Sequence, residues 1–149
     1  MKIVFIFIFI FIAACGNNSK SDDVYQSARN ICVEVTNNYR DSLNIAPLIH
    51  FEEKNGCTDG EAKSDSTTKT AHGAFGSCGE SAQNECPDWP ADPEKSVEEC
   101  LAMMFDEGPG SDYSKHGHYI NMTNKNYTKV SCGFYETEDG SLWIVQNFW

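Results

Sequence analysis

Residues 130–148, VSCGFYETEDGSLWIVQNF, decide the fold. Val130, Cys132 and Phe134 alternate with polar or small residues, the two-residue period of a strand with one buried face. Asp139-Gly140 is a strong two-residue hairpin signal, and Ser141–Trp149 reads as the returning strand. Upstream of this hairpin the periodicity is helical. Val24, Ala28, Ile31, Cys32, Val35 and Tyr39 recur at three- and four-residue steps, predicting a helix over 23–42, with Asp22 and Asp23 suited to its N-terminus. Asn44 to Pro47 stops it. A second helix is expected in the polar stretch 51–69, weakened by Gly56 and Gly60. Residues 70–91 read as a long loop fixed by cysteines. Asp92 is an N-cap with Pro93 at the first helical position; Val97, Cys100, Leu101, Met104 and Phe105 form one apolar face, and Gly108-Pro109-Gly110 ends the helix. Helices first and a hairpin last give an α+β domain.

The amino terminus has a different character. Met1-Lys2 precedes an unbroken apolar run, Ile3 to Ala14, too short to span a bilayer and suited to the core of a signal peptide. Ile12-Ala13-Ala14-Cys15 resembles a bacterial lipobox, which implies cleavage before Cys15 and lipidation of that cysteine. The expected organisation is therefore a leader over 1–14, a lipidated Cys15 with a flexible polar tether over 15–21, and one domain over 22–149. The implied partner is a membrane, reached through the acyl chains. Gly16 is not the aspartate typical of inner-membrane retention, which favours the outer membrane or cell surface.

The 149 residues carry 22 acidic and 11 basic side chains, a formal net charge of −11, and loss of Lys2 with the leader makes the remainder one unit more negative. A chain so acidic, without a basic patch, is unsuited to nucleic acid. Apart from Cys15 there are six cysteines: Cys32, Cys57, Cys78, Cys86, Cys100 and Cys132. An even count in an exported small domain predicts three disulfides, with the pairing left open among 15 possibilities. A zinc cluster is the poorer reading, because such sites use close pairs and the nearest cysteines here are eight apart.

Motifs for serine nucleophiles, phosphate loops, dinucleotides and His-Glu-x-x-His zinc sites are all missing. His72 lies in Ala-His-Gly-Ala-Phe-Gly, among small residues. His116-Gly117-His118 is placed in a polar loop.

Several segments, in order, resemble the CAP family (cysteine-rich secretory proteins, antigen 5, PR-1). Asn37-x-x-Arg40 with Ala46-Pro47-Leu48 is similar to the family's opening, and Ala71-His72 with Cys78-Gly79-Glu80 to its His…Gly-Glu-Asn segment. Met104-Phe105-Asp106-Glu107 resembles the Trp-x-x-Glu helix end. Gly117-His118-Tyr119-Ile120-Asn121 resembles Gly-His-[Phe/Tyr]-Thr-Gln, and Ser131-Cys132-Gly133 with Leu142–Phe148 the closing strands. Ala71–Pro87 and Met103–Met122 look closest to a cysteine-rich bacterial branch.

The resemblance implies an α-β-α sandwich around a mainly antiparallel sheet. It also implies a cleft holding His72, Glu80, Glu107 and His118, with Glu98, Glu99 and His116 as rivals. Two imidazoles and two carboxylates suit a zinc-like divalent ion. Ser81, Ile120 and Asn121 depart from the family pattern.

Three functions follow. The favoured one is a non-enzymatic cell-envelope module binding a small ligand, lipid or peptide in the cleft. A divalent-metal-dependent, protease-like hydrolase using the four residues is the second. The third is a surface host- or partner-interaction protein with a vestigial cleft.

Overall fold

The computed structural model describes residues 23–149. The leader, Cys15, the tether and Asp22 lie outside the described residues. Helix α1, Gln26–Ser42, begins slightly later than expected, because Asp23 stays in the turn before it, accepting the Tyr25 N–H at 2.9 Å and the Arg29 Nε–H at 2.7 Å. The short strand β1 (Ile49–His50) leads through a 3-10 turn into α2 (Asn55–Thr68). Gly56 and Gly60 are tolerated there because Thr58, Glu61, Ala62 and Asp65 bury one face of the helix. Helix α3 (Pro93–Phe105) is capped as its sequence implies, the Asp92 side chain accepting the Lys95 N–H. β3 (Lys129–Glu136) and β4 (Ser141–Phe148) form the hairpin.

Two segments differ from expectation. Within the predicted loop 70–91, residues Ala82–Pro90 form strand β2, paired antiparallel to β4. Its inward residues include Gln83, Asn84 and Glu85, so no apolar alternation betrays it. His116-Gly117-His118 lies in helix α4, Tyr113–Thr123, capped by Asp112 through the Ser114 N–H. The capping residue, rather than an apolar stripe, marks that helix in the sequence.

The sheet order is β1-β3-β4-β2, with β1 parallel to β3 and the other pairs antiparallel. It is thus mixed, and mainly antiparallel. Alternation along β4 divides the interior. Leu142, Ile144 and Phe148 join the main core with Val130, Cys132 and Phe134, beneath α1 and α3. Trp143 and Val145 face the other way, onto Ala62 of α2. The result is three layers, helix-sheet-helix, with β2 at an edge.

The disulfides join Cys32 to Cys132, Cys57 to Cys78 and Cys86 to Cys100. They tie α1 to β3, α2 to the 70–81 loop, and β2 to α3. The Asn37 side chain bonds the Leu48 backbone in both directions, at 3.0 and 2.8 Å. Arg40 donates to the carbonyls of Ala46, Met122 and Asn124. The Asn-x-x-Arg…Pro-Leu motif is therefore a clamp on the α1–β1 connection.

Candidate functional site

The candidate site opens along edge strand β2, between the 70–81 loop and α4. His72 adopts a left-handed backbone (φ 59°), a conformation uncommon for a residue with a side chain. Its N–H donates to Glu85 Oε2 at 2.5 Å, and its Nδ1 meets Gln83 Oε1 at 2.9 Å. The Gln83 amide is itself oriented, since its Nε2 donates to Glu61 at 3.2 Å. Nδ1 of His72 is thus the donor and Nε2 carries the free lone pair of the neutral ring.

Across the cleft, Glu107 follows the end of α3. Its Oε1 lies 2.5 Å from Nδ1 of His118, and its Oε2 accepts the backbone N–H groups of His118 (3.0 Å) and Tyr119 (3.4 Å). A carboxylate can only accept, so His118 also carries its proton on Nδ1 and presents Nε2. His116 is spent elsewhere: its Nδ1 donates to the Glu107 and Gly108 carbonyls at 2.8 and 3.0 Å. Glu98 and Glu99 are exposed on α3, Glu99 facing Lys95.

A hollow of about 280 Å³ is lined by His72, Gln83, Glu107, Tyr113, His118 and Asn121, among others. It shares His72, Gln83, Tyr113 and Asn121 with a larger hollow of about 530 Å³, whose remaining wall includes Phe75, Ile120 and Tyr127. The cleft therefore has a polar imidazole–carboxylate end and an aromatic end. Sequence reading did not single out Tyr113, Gln83, Phe75 or Tyr127. Tyr113 OH pairs with the Asn121 side chain at 3.2 Å, and Asn121 Nδ2 reaches Asn84 Oδ1 at 2.9 Å. The only cue to these residues was Asn121, in the position where the resembled motif has Gln.

Three of the four expected residues meet in the polar hollow; Glu80 does not line it. Glu80 is buried, its carboxylate accepting the Gly76 N–H and, at 3.1 Å, the Cys78 N–H. It faces Glu61. Their oxygens and Cys78 Sγ lie within 4.8 Å of one another, but that sulfur is in a disulfide and offers no thiolate. Burial, aided by the nearby Glu80 carboxylate and opposed by the hydrogen bond from Asn147, pushes the Glu61 carboxyl up to about 7.

The cleft's candidate metal donors are the two imidazole Nε2 atoms; among the described residues the ligand atoms that gather within 4.8 Å in a group of three are those of Glu61, Cys78 and Glu80. Each ring has its Nδ1–H anchored on a side-chain oxygen, the arrangement that fixes a metal-binding histidine through its second nitrogen.

Fold and cysteines together define a small disulfide-stapled α+β domain of secretory type. The chain belongs to the CAP, cysteine-rich secretory protein family, whose profile matches residues 33–148. No curated protein matches it in sequence. Among solved structures it resembles Na-ASP-1 (TM-score 0.61, 13% identity), covering 82% of this chain but 38% of that one. It also resembles NaASP2 with Zn2+ (0.61, 13%), covering 83% and 79% of the two chains, and the hookworm platelet inhibitor (0.56, 14%), covering 83% and 69%. At such identities the likeness is one of fold.

Proposed function

We propose that this CAP domain is a non-enzymatic module of the bacterial cell envelope, anchored by acyl chains on Cys15. In this reading its cleft takes a small amphiphilic ligand, lipid or peptide. The observation that carries the reading is the continuity of the two hollows. An apolar portion can lie against Phe75, Ile120 and Tyr127, while a polar or anionic end reaches His72 and His118. Phe75 and Tyr113, 50% and 58% exposed at the rim, offer aromatic surface against which an apolar portion can pack.

A zinc-like cation taken up by the two Nε2 atoms would supply the anchor for an anionic end. The solved structure of NaASP2 with Zn2+ supports that choice of ion. Catalysis is the weaker reading, because Glu107 is committed through both oxygens to His118 and Tyr119 and Glu80 stands outside the hollow. No free carboxylate is left there to act as base.

Calorimetric titration of zinc into the wild type and a His72→Ala/His118→Ala variant tests the site: binding by the wild type alone is expected. Equal titration, or none, removes the metal. Solvent extraction and mass spectrometry of protein purified from membranes should recover a lipid or peptide in stoichiometric amount; a consistently bare protein counts against the ligand. A Cys15→Ala variant should leave the membrane fraction, and unchanged partitioning removes the anchor.

A further inference from the structure

The β1 edge of the sheet carries a surface unlike the rest of this acidic chain. Ile49 is 66% exposed and stands opposite Lys129 in the parallel register. Phe51, whose N–H continues the pairing onto the Val130 carbonyl, lies under the Lys129 ammonium, with Nζ 4.0 Å from the ring centre. The Trp149 ring meets Phe51 edge-on at 5.1 Å and has Lys54 Nζ 6.0 Å from its own centre. Both rings are partly exposed. Among the described residues neither lysine forms an ion pair with a carboxylate. Glu52 and Glu53 follow Phe51 and are exposed, so the patch carries little net charge.

The chain from Cys15 enters the domain on this same edge. Along β3 the Val130 carbonyl accepts the Phe51 N–H, and the Cys132 carbonyl, two residues on, accepts the Arg29 guanidinium. Arg29 in turn holds Asp23, the first described residue, at 2.7 Å. Val24 beside it is 84% exposed. Only eight peptide units separate Cys15 from Asp23, a reach of at most about 29 Å. The cleft also ends here. Tyr127 and Ser81 line its aromatic hollow. Tyr127 stacks on the Phe148 ring at 5.6 Å and Ser81 donates to the Phe148 carbonyl at 2.8 Å, one residue before Trp149. Lys54 Nζ donates to the Cys78 carbonyl of the 70–81 loop at 2.6 Å. The aromatic end of the cleft thus borders the patch.

We propose that Ile49, Phe51, Lys54, Lys129 and Trp149 form a face that docks into the headgroup layer of a phospholipid bilayer. Tryptophan suits that layer because its ring is apolar while its N–H finds a partner in water or phosphate. Lysine stems lie along apolar surface while their ammonium groups reach the phosphates. With so little net charge, burial of Ile49 and the two rings supplies the contact, and a zwitterionic surface fits it. Docking sets the aromatic end of the cleft beside the lipid, which shortens an amphiphile's passage through water. The inference rests on the anchored reading for the identity of its membrane, and the two fail separately.

The test is tryptophan quenching of the full-length protein, purified from membranes with its acyl chains. It is reconstituted in phosphatidylcholine vesicles whose lipid chains are brominated near the glycerol. Bromine quenches indole only at contact. Trp143 is buried, and Trp89 lies on β2 at the opposite edge of the sheet. Emission lower than in unbrominated vesicles is expected; Trp149→Phe should remove the difference and Trp89→Phe should not. Ile49→Asp/Lys129→Glu should also abolish it, with the protein still held in the vesicle fraction. Mass spectrometry of the same preparation reads the anchor. If Cys15 carries no acyl chain, the anchored reading fails, yet the protein at saturating lipid should still be quenched through Trp149. Unquenched wild type, or quenching that survives in either folded variant, overturns the face.

Discussion

Glu107 holds His118 twice, through the ring at 2.5 Å and through the backbone N–H at 3.0 Å. One carboxylate thus fixes both the rotamer of the imidazole and the position of the helix that carries it.

Removing that carboxylate should loosen the ring. Glu107→Ala is expected to lower zinc affinity about 10–100-fold, the usual cost of losing a carboxylate behind a metal-binding histidine. Calorimetry reads it directly, and wild-type affinity in the variant would show that the pair only holds structure.

Gly133 is where β3 touches α2. A methyl group there would lie 2.2 Å from the carbonyl carbon of Thr58 and 2.4 Å from its oxygen, both backbone atoms. Neither can yield without moving the helix. Gly133→Ala should therefore destabilise the domain by about 3 kcal/mol or more, measured by urea unfolding. The same substitution at Gly56, which has nothing within 4 Å, should be neutral or slightly stabilising.

The three disulfides close very different loops. Cys32–Cys132 spans 100 residues and Cys86–Cys100 spans 14. Loop-closure entropy alone assigns about 4.7 kcal/mol to the first and about 3 kcal/mol to the second. Paired serine substitutions should reproduce that order in denaturation midpoints; equal losses would mean that native packing, not chain entropy, sets the effect.

The buried acids predict an inverted pH response. Folding raises the Glu85 carboxyl from 4.5 to about 7, so the folded chain binds its proton more tightly than the unfolded one. Stability from this group is complete below about pH 4.5 and is lost as pH rises through about 7. The loss between pH 5 and 8 should be roughly 2.5 kcal/mol from Glu85. Glu85→Gln should make the profile shallower, leaving the part that comes from Glu61. A denaturation midpoint constant over that range in the wild type would contradict it.

Much of the architecture was readable because the periodic signals were strong. The apolar steps of α1 and α3, the Asp92-Pro93 start and the Asp139-Gly140 turn each have a local physical cause, and each element stands where that cause puts it. Strand β2 was not readable, since its inward positions are filled by Gln83, Asn84 and Glu85, whose burial depends on partners in α2, α4 and β4. Helix α4 hid for a related reason: its inner face is Asn121 and Met122, and Gly117 packs on the Tyr113 ring instead of continuing an apolar stripe.

The site divides in the same way. His72, Glu107 and His118 were found by motif order, and the chain brings them to one hollow. Glu80 occupies the motif position, yet its oxygens go to Gly76, Cys78 and the neighbourhood of Glu61. By itself the sequence determined the α+β class and the cysteine count, because these rest on local spacing, and the family, because its motifs stand in order along the chain; that Asn37 and Arg40 form a clamp was decided by their contacts with Leu48, Met122 and Asn124. Only the tertiary structure decided the disulfide pairing, the place of Glu80, the Gln83–His72 and Glu107–His118 contacts and the acid-filled layer under α2. Each of those depends on which distant residue is packed against a side chain, and spacing along the chain does not encode that.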